Sequence, residues 1–598
     1  MATLAMPAPR TQTARMPRDA SPREIIESAR TAPAGMKGAL IASSLTALMM
    51  WASFTPVDFG PLAWICLVPL LALARLPRPT HRMYRAAFLG GMLFWCLSLQ
   101  WMRLGHPTMY IALLALSTYL ALYFPLFLGL TRVAIWRLRI PLTFAAPVVW
   151  TGLELLRGHL MTGFSWYYLG HTQYRWIDLI QVADLVGAYG ISFLTALTGA
   201  CIAEIIPISW LQKLHLLPVA METAMPVTIT NAGRWWRAAC CVLLVGSAVG
   251  YGHFRRVGNE FQPGPRVALI QSNVTSDVKH NQHDWQKIQR QLEMLTGMSV
   301  KQQPDLIIWP ETMFRWPLLD TPLDVSDAEL EAAHPQLPVS WLRELQVRRK
   351  LAQLSQMAGA GMVIGLETLS VDKEKFRTFN SAAFIRPDGS FAGRYDKMHR
   401  VVFGEYIPLA ETLPWLRNLT PFGPDFGIEA GSACAVFQHE GYRFAPIICF
   451  EDTVPQLVRN IVNVTTEQQE TGPKKIDFLV NMTNDGWFHG SSELDQHLIT
   501  AAFRCVECRT PMVRSVNTGI SAFIDGDGVI RRRAEGLRTK SSKQDEAVVV
   551  DNIPLDSRHS LYLAGGDWFA SMCLVCCGCL LLTGLRMSWL KRRSGLPA

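Results

Sequence analysis

Charge is scarce in this sequence. Only 18% of its 598 residues are Asp, Glu, Lys or Arg, whereas an ordinary soluble domain carries about a quarter. With 49% hydrophobic residues and a mean hydropathy of +0.16, the chain is neither disordered nor collagen-like, and the balance argues against a purely soluble enzyme. Other signatures are missing too. There is no GxGxxG or Walker pattern, so Gly486, Gly490 and Gly519 read as turn residues and not as a phosphate cradle. Cys505-x-x-Cys508 has no second CxxC, and His399, His489 and His497 lack metal-ligand spacing. No metal and no cofactor is therefore expected. The net charge of +9 is not gathered into a basic stripe interleaved with aromatics, so no nucleic-acid partner is expected. No short apolar run with a small-residue cleavage site opens the chain, so no cleaved signal peptide is expected.

Thirteen cysteines are present, but they do not form a disulfide framework. Cys66, Cys96, Cys201, Cys240, Cys241, Cys573, Cys576, Cys577 and Cys579 lie in apolar runs, where a thiol packs as a small hydrophobe. Cys434, Cys449, Cys505 and Cys508 remain. The last two lie in an expected helix and read as core packing or an incidental disulfide.

Long apolar segments dominate instead, at about 38–54, 60–75, 86–104, 109–131, 140–157, 179–206, 238–253 and 568–590. A membrane span needs roughly 20 apolar residues, and these segments predict eight transmembrane helices. Basic residues fall on alternate loops: Arg75, Arg78, Arg82 and Arg85, then Arg132, Arg137 and Arg139, then Lys213, Arg234 and Arg237, with Lys591, Arg592 and Arg593 at the end. Loops rich in Lys and Arg stay in the cytoplasm. The expected organisation is a flexible cytoplasmic tail (1–37), seven spans (38–255), an outward-facing domain (256–566), an eighth span (567–590) and a cytoplasmic tail (591–598).

The outward-facing segment changes character. Strands are expected at Arg266–Ser272, Asp305–Trp309, Gly361–Leu366, Ser381–Ile385, Phe444–Cys449, Phe478–Met482 and Val513–Ile524, and helices at 281–300, 340–358 and 492–508. Two stretches read as insertions or loops, 317–339 and 463–475. About 300 residues suffice for one well-buried α/β domain.

Within it, three polar residues close or follow strand-like runs. Glu311 follows Leu306–Pro310, Lys397 follows Gly393–Asp396, and Cys449 follows Ala445–Ile448. Strand ends combine a rigid scaffold with an open loop. A cysteine nucleophile needs a base for its proton, and a cation or N–H group for the thiolate and the later oxyanion. Glu311, Lys397 and Cys449 meet that list. Taken singly, each has an ordinary explanation: a surface carboxylate, a solvated lysine, a core thiol.

The motifs around them settle the reading. Trp309-Pro310-Glu311, Tyr395-Asp396-Lys397-Met398-His399, Phe403-Gly404-Glu405-Tyr406 and Ile448-Cys449-Phe450-Glu451 resemble the nitrilase (carbon–nitrogen hydrolase) superfamily. Together with Asn481–Phe488, Arg514–Ser521, Glu154–Arg157 and Gly163–Trp166, they resemble its membrane branch, the apolipoprotein N-acyltransferases. The likeness runs from about residue 38 to 590. It implies a multi-span α-helical membrane protein with an inserted α-β-β-α sandwich, in the bacterial inner membrane with the sandwich in the periplasm. It also implies Cys449 as nucleophile, Glu311 as general base and later acid, Lys397 and the Phe450 N–H as oxyanion hole, and Glu405 and Glu451 as supporting residues. The implied partners are a phospholipid acyl donor, commonly phosphatidylethanolamine, and a diacylated apolipoprotein acceptor. The chain departs from the family pattern at Lys279-His280, where the lysine is usually followed by Trp, at Phe450 in place of Tyr, and at Arg400.

Some alternatives stay open on sequence alone. Glu154 and Arg157 either pair with each other or hold the loop 158–173. Phe164, Trp166, Tyr167 and Tyr168 form either an interfacial aromatic belt or a lipid entrance. The same triad would serve a membrane-tethered hydrolase. A transporter with an inactive outer domain is opposed by the few acidic groups in the spans, Glu154, Asp184 and Glu204.

Overall fold

The structure, a computed structural model, describes residues 36–76, 80–207, 209–210, 231–258, 261–321, 324–371, 376–410, 412–419, 427–463 and 476–594. Nearly all of the tail 1–37, Lys213, most of the loop 463–475 and the last four residues lie outside them.

Every expected apolar segment is mainly helical. The helices are α1 (Met36–Ala52), α2 (Val68–Ala74), α3 (His81–Ser98), α4 (Met109–Ala121), α5 (Tyr123–Arg137), α6 (Leu142–His159), α7 (Ala188–Ile205), α8 (Asn231–Arg256) and a last helix, Trp568–Ser594. Among the described residues, four helices are long and apolar enough to cross a membrane: Met109–Arg137, Ala188–Ile205, Ala232–Arg256 and Trp568–Leu590. The others are shorter or interrupted. Pro61 and Pro69 divide 60–75 into a 3-10 turn and α2, α3 opens on His81 and Arg82, and α6 contains Pro147 and Glu154. The segment expected from 179 forms a continuous helix only from Ala188. Gly187, at φ 71°, breaks the chain there, and Asp184 is held by Arg255 and Arg509.

Close packing joins these helices. A Cβ on Gly152 of α6 would lie 2.8 Å from the Cys573 carbonyl oxygen, so only glycine lets the last helix approach this far. Arg132 of α5 is buried, and its Nη1 donates to the carbonyls of Ala74 at 3.0 Å and Leu73 at 3.3 Å. It thereby satisfies the open C-terminal end of α2.

The outer domain is built on two sheets. The strands are β1 (Gln262–Gln271), β2 (Leu306–Ile308), β3 (Phe314–Asp320), β4 (Gly361–Val371), β5 (Phe376–Ile385), β6 (Phe391–Asp396), β7 (Phe437–His439), β8 (Tyr442–Ile448), β9 (Phe478–Thr483), β10 (Met512–Val516), β11 (Ala522–Ile524), β12 (Ile530–Arg533) and β13 (Ala547–Leu555). The first sheet runs β13-β1-β2-β4-β5-β6 with β3 also on β4, and the second runs β12-β11-β10-β9-β8-β7. The helices are α9 (Trp285–Val300), α10 (Gln346–Ala358), α11 (Pro455–Asn463) and α12 (Glu493–Cys508).

Alternation along the strands makes the layers. Val267, Leu269, Leu306 and Ile308 of the first sheet pack with Phe444, Ile448, Phe478 and Val480 of the second. The intervening Ala268, Ile270 and Ile307 pack against Ile288 and Leu292 of α9 and Leu351 of α10. On the far side, Ala445, Ile447 and Leu479 pack against α11 and α12, with Cys505 and Cys508 in that core. Neither thiol forms a disulfide. The result is the α-β-β-α order the motifs implied.

Three local expectations are corrected. The stretch 317–339 contains the end of β3, which pairs with β4, and a helix Asp327–Ala333 opened by a Ser326–Glu329 capping box. Val513–Ile524 is two antiparallel strands, not one. β13, which pairs with β1 along its length, was not expected.

The outer domain sits directly on the helices. Phe450 and Phe488 pack into the helical core cluster. Trp101 contacts Phe488 and Trp166 at ring-centroid distances of 4.7 and 5.8 Å. Trp166, Tyr167 and Tyr168 are buried and pack inside the protein, while Phe164 is half-buried. Glu154 and Arg157 both hold the loop. Glu154 accepts from the Leu169 N–H at 2.7 Å and from Trp150 Nε1 at 2.9 Å, and Arg157 donates to the Trp166 carbonyl at 2.7 Å.

Candidate active site

Cys449 stands at the end of β8, where the chain leaves the second sheet for a 3-10 turn, Cys449–Thr453. Its φ is 56°, a conformation costly to a residue with a Cβ. The surroundings enforce it. Asn481 Nδ2 of β9 donates to the Cys449 carbonyl at 3.0 Å. Two residues on, the buried Glu451 accepts from the N–H groups of Ile448 (2.7 Å), Met398 (2.8 Å) and His399 (2.9 Å), and from the Tyr395 hydroxyl (2.9 Å). Glu451 thus ties the nucleophile turn to the strand end that carries Lys397. Burial pushes its carboxyl up to about 7, against the pull of those hydrogen bonds.

Lys397 follows β6 and is fully buried. Its backbone N–H donates to the Asn380 carbonyl at 2.8 Å. Its Nζ donates to Glu405 Oε1 at 2.7 Å and Glu311 Oε1 at 3.4 Å. Burial alone would lower its pKa, but Glu405, Cys449 and Glu311 together hold it well above the ordinary lysine value. The ammonium is therefore permanent at neutral pH.

Glu311 sits on the turn after β2. That turn is pressed against β4, where a Cβ on Gly365 would meet the Pro310 carbonyl oxygen at 2.3 Å and Glu311 Cα at 2.8 Å. Glu311 Oε1 also accepts from Asn380 Nδ2 at 2.6 Å. Glu405 is fixed by its own loop, with Oε2 accepting from the Val401 N–H at 2.8 Å. Arg400 now has a place: it donates to the Ile428 carbonyl at 2.7 Å and lies 4.4 Å over the Tyr406 ring, which fastens the Glu405 loop. The side chain of His280 lies outside the described residues.

The structure thus gathers Glu311, Lys397, Glu405, Cys449, Phe450 and Glu451 at one place. Lys397 Nζ lies 5.6 Å from the Phe450 ring centroid, and Glu311 and Lys397 both act electrostatically on Cys449. Burial, reinforced by Glu311, pushes the Cys449 thiol well above its ordinary value, and Lys397 only offsets part of this. Cys449 therefore rests as a thiol, and it could act as a nucleophile only with a base to take its proton. Sequence reasoning assigned no role to Asn380 or Asn481. Asn481 carried a signal, an amide inside a strand buried along its whole length, whereas Asn380 stands where β5 passes from half-exposed to buried.

Residues 46–201 match the apolipoprotein N-acyltransferase N-terminal domain, and residues 266–557 match the carbon–nitrogen hydrolase domain. An apolipoprotein N-acyltransferase of Rhodopirellula baltica is 30% identical over 587 residues, covering 92% of this chain and 98% of its own. The chain belongs to the apolipoprotein N-acyltransferase family. It is thereby an acyltransferase. The Geobacter metallireducens member is 31% identical over 541 residues, covering 89% of this chain and 92% of its own. Among solved structures, a carbon–nitrogen hydrolase superfamily protein of Xanthomonas campestris matches with 18% identity and a TM-score of 0.33. That match covers 49% of the acyltransferase and 91% of the Xanthomonas chain.

Proposed function

We propose that the protein transfers a fatty acyl chain from a membrane phospholipid to the α-amine of the N-terminal diacylglyceryl-cysteine of lipoproteins, through a thioester on Cys449. The observation that carries this is the meeting of Glu311, Lys397 and Cys449 where Phe450 and Phe488 pack into the apolar helices. A reaction centre placed there is within reach of lipid substrates. We further read the eight apolar segments as eight spans of the bacterial inner membrane. Both termini then face the cytoplasm and the domain 256–566 lies in the periplasm, as the alternation of basic loops requires.

In the first half-reaction Glu311 takes the thiol proton and the Cys449 sulfur attacks the ester carbonyl. Lys397 and the Phe450 N–H receive the developing oxyanion. The ester C–O bond breaks and Glu311 returns its proton to the lysophospholipid oxygen. In the second, the neutral acceptor amine attacks the thioester, Glu311 takes a proton from the amine nitrogen, and the C–S bond breaks. Sulfur leaves and regains a proton, and an amide remains. The permanent charge on Lys397 and the protonated resting thiol support this division of labour.

Incubating the purified full chain with phosphatidylethanolamine vesicles and a synthetic diacylated lipopeptide tests the proposal by intact mass. The expected result is one added acyl chain on the peptide and one lysophospholipid per product, both absent with Cys449→Ala. Free fatty acid with unmodified peptide would overturn it in favour of hydrolysis.

A further inference from the structure

The reaction centre contains a second buried cation that this scheme leaves unused. Lys279 lies in the short helix Ser276–His280 and is 5% exposed. Its Nζ donates to Thr312 Oγ1. Thr312 follows Glu311 directly and holds a left-handed φ of 50°, and its carbonyl accepts from Arg315 Nη1 at 3.0 Å. The charged groups acting on Lys279 come from three neighbouring elements: Glu311 and Arg315 flanking the β2–β3 turn, Glu367 of β4, and Cys449 at the end of β8.

Charge balance gives this lysine a task. Glu311 and Glu405 both lean on the Lys397 ammonium, so one cation faces two carboxylates. A buried carboxylate that no cation balances is costly. We propose that Lys279 is a positioning residue for the acyl transfer: through the Thr312 hydroxyl it fixes the turn presenting Glu311, and its ammonium is the second cation acting on that turn. Burial lowers the Lys279 pKa to about 8 against the pull of Glu311, so it still carries most of its charge at pH 7. This inference rests on the reading of Glu311 as the base.

The test uses single-turnover formation of the hydroxylamine-labile acyl group on Cys449, from labelled phosphatidylethanolamine vesicles, between pH 5.5 and 9. Lys279→Met is expected to slow acylation by about tenfold or more across this range, in the rate at saturating lipid and not in the lipid concentration that half-saturates it. Lys279→Arg should restore the rate. Full rate in the methionine variant, or a loss confined to lipid half-saturation, overturns the inference. Should that variant fail to fold, Lys279→Gln is read by the same criteria. Peptide-resolved alkylation of Cys449 by iodoacetamide, which needs no acyl donor, separates the two readings. A wild-type protein that alkylates at Cys449 yet never carries an acyl group defeats the acyl-transfer reading. A Cys449 alkylation profile unchanged by Lys279→Met defeats only the role of Lys279.

Discussion

Glu451 has more of its surroundings committed to it than any group that touches substrate in the proposed scheme. Its two oxygens receive three backbone N–H groups and the Tyr395 hydroxyl, and no solvent reaches it. Replacing it with Gln preserves the shape but turns one acceptor into a donor facing donors. At least one buried N–H is then left unpaired, at a cost of about 1–3 kcal/mol. We therefore expect Glu451→Gln to lower the melting temperature and to slow Cys449 acylation on the order of 100-fold, because the turn carrying the sulfur is no longer tied to the Lys397 strand end. Wild-type melting and acylation in this variant would remove the assigned role. The residues in this centre were legible to unequal degrees. Glu311, Lys397 and Cys449 stand beside strand-like runs in recognisable motifs. Asn380 reaches the centre from β5, far off in the chain, and nothing in its local sequence marks it, while Lys279 stood out only as part of a departure from the family pattern and not for its charge. The protonated state of the Cys449 thiol was not legible either, since it depends on burial, which no motif encodes.

At the level of the element, β4 decides where the base stands. Gly365 leaves room for the Pro310–Glu311 backbone, and a methyl group there would press on backbone atoms that cannot rotate away. Gly365→Ala is expected to shift the Glu311 turn and cut acylation by about two orders of magnitude, since misplacement by an ångström costs this much. The outer domain should remain folded, and circular dichroism together with acylation rates distinguishes a displaced turn from a lost fold. Unchanged acylation would mean that the turn adapts and that Glu311 is not held from β4. The elements themselves were read well where they are long or buried on both faces, as with β8, β9 and α12. They were misread where tertiary pairing overrides local pattern. β3 lies in a Pro-containing acidic stretch and exists because β4 offers an edge, and β13 exists because β1 does. The break at Gly187 depends on Asp184 finding Arg509, 325 residues away, and no hydropathy window contains that pairing.

Across the whole molecule, His497 joins the turn after β8, the segment after β9 and the loop held by α6. It extends from α12. Its Nε2 bonds Asp452 of the nucleophile turn at 2.8 Å and its Nδ1 bonds Asp485 beyond β9 at 3.2 Å. Its ring lies 5.4 Å from Trp166, on the loop held by α6. Burial lowers its proton affinity and Arg514 does likewise, but Asp452 and Asp485 outweigh both and lift its pKa to about 10. An unfolded histidine titrates near ~6.5. The folded state therefore binds this proton more tightly, and the stabilisation is complete below about pH 6.5 and lost progressively as pH rises towards 10. The melting temperature of the solubilised protein should fall across that window. His497→Asn, which keeps a polar group of similar reach but cannot titrate, should start lower and fall less. The difference between the two curves removes the contribution of Lys279, whose pKa of about 8 lies in the same range in both proteins. Curves that stay parallel from pH 6.5 to 10 would mean that the imidazolium contributes nothing to holding the Cys449 turn against the loop that carries Trp166. The docking would then rest on the Trp101, Trp166 and Phe488 contacts and on polar links such as Asp184–Arg509, Ala188–Glu507 and Gln181–Asp527.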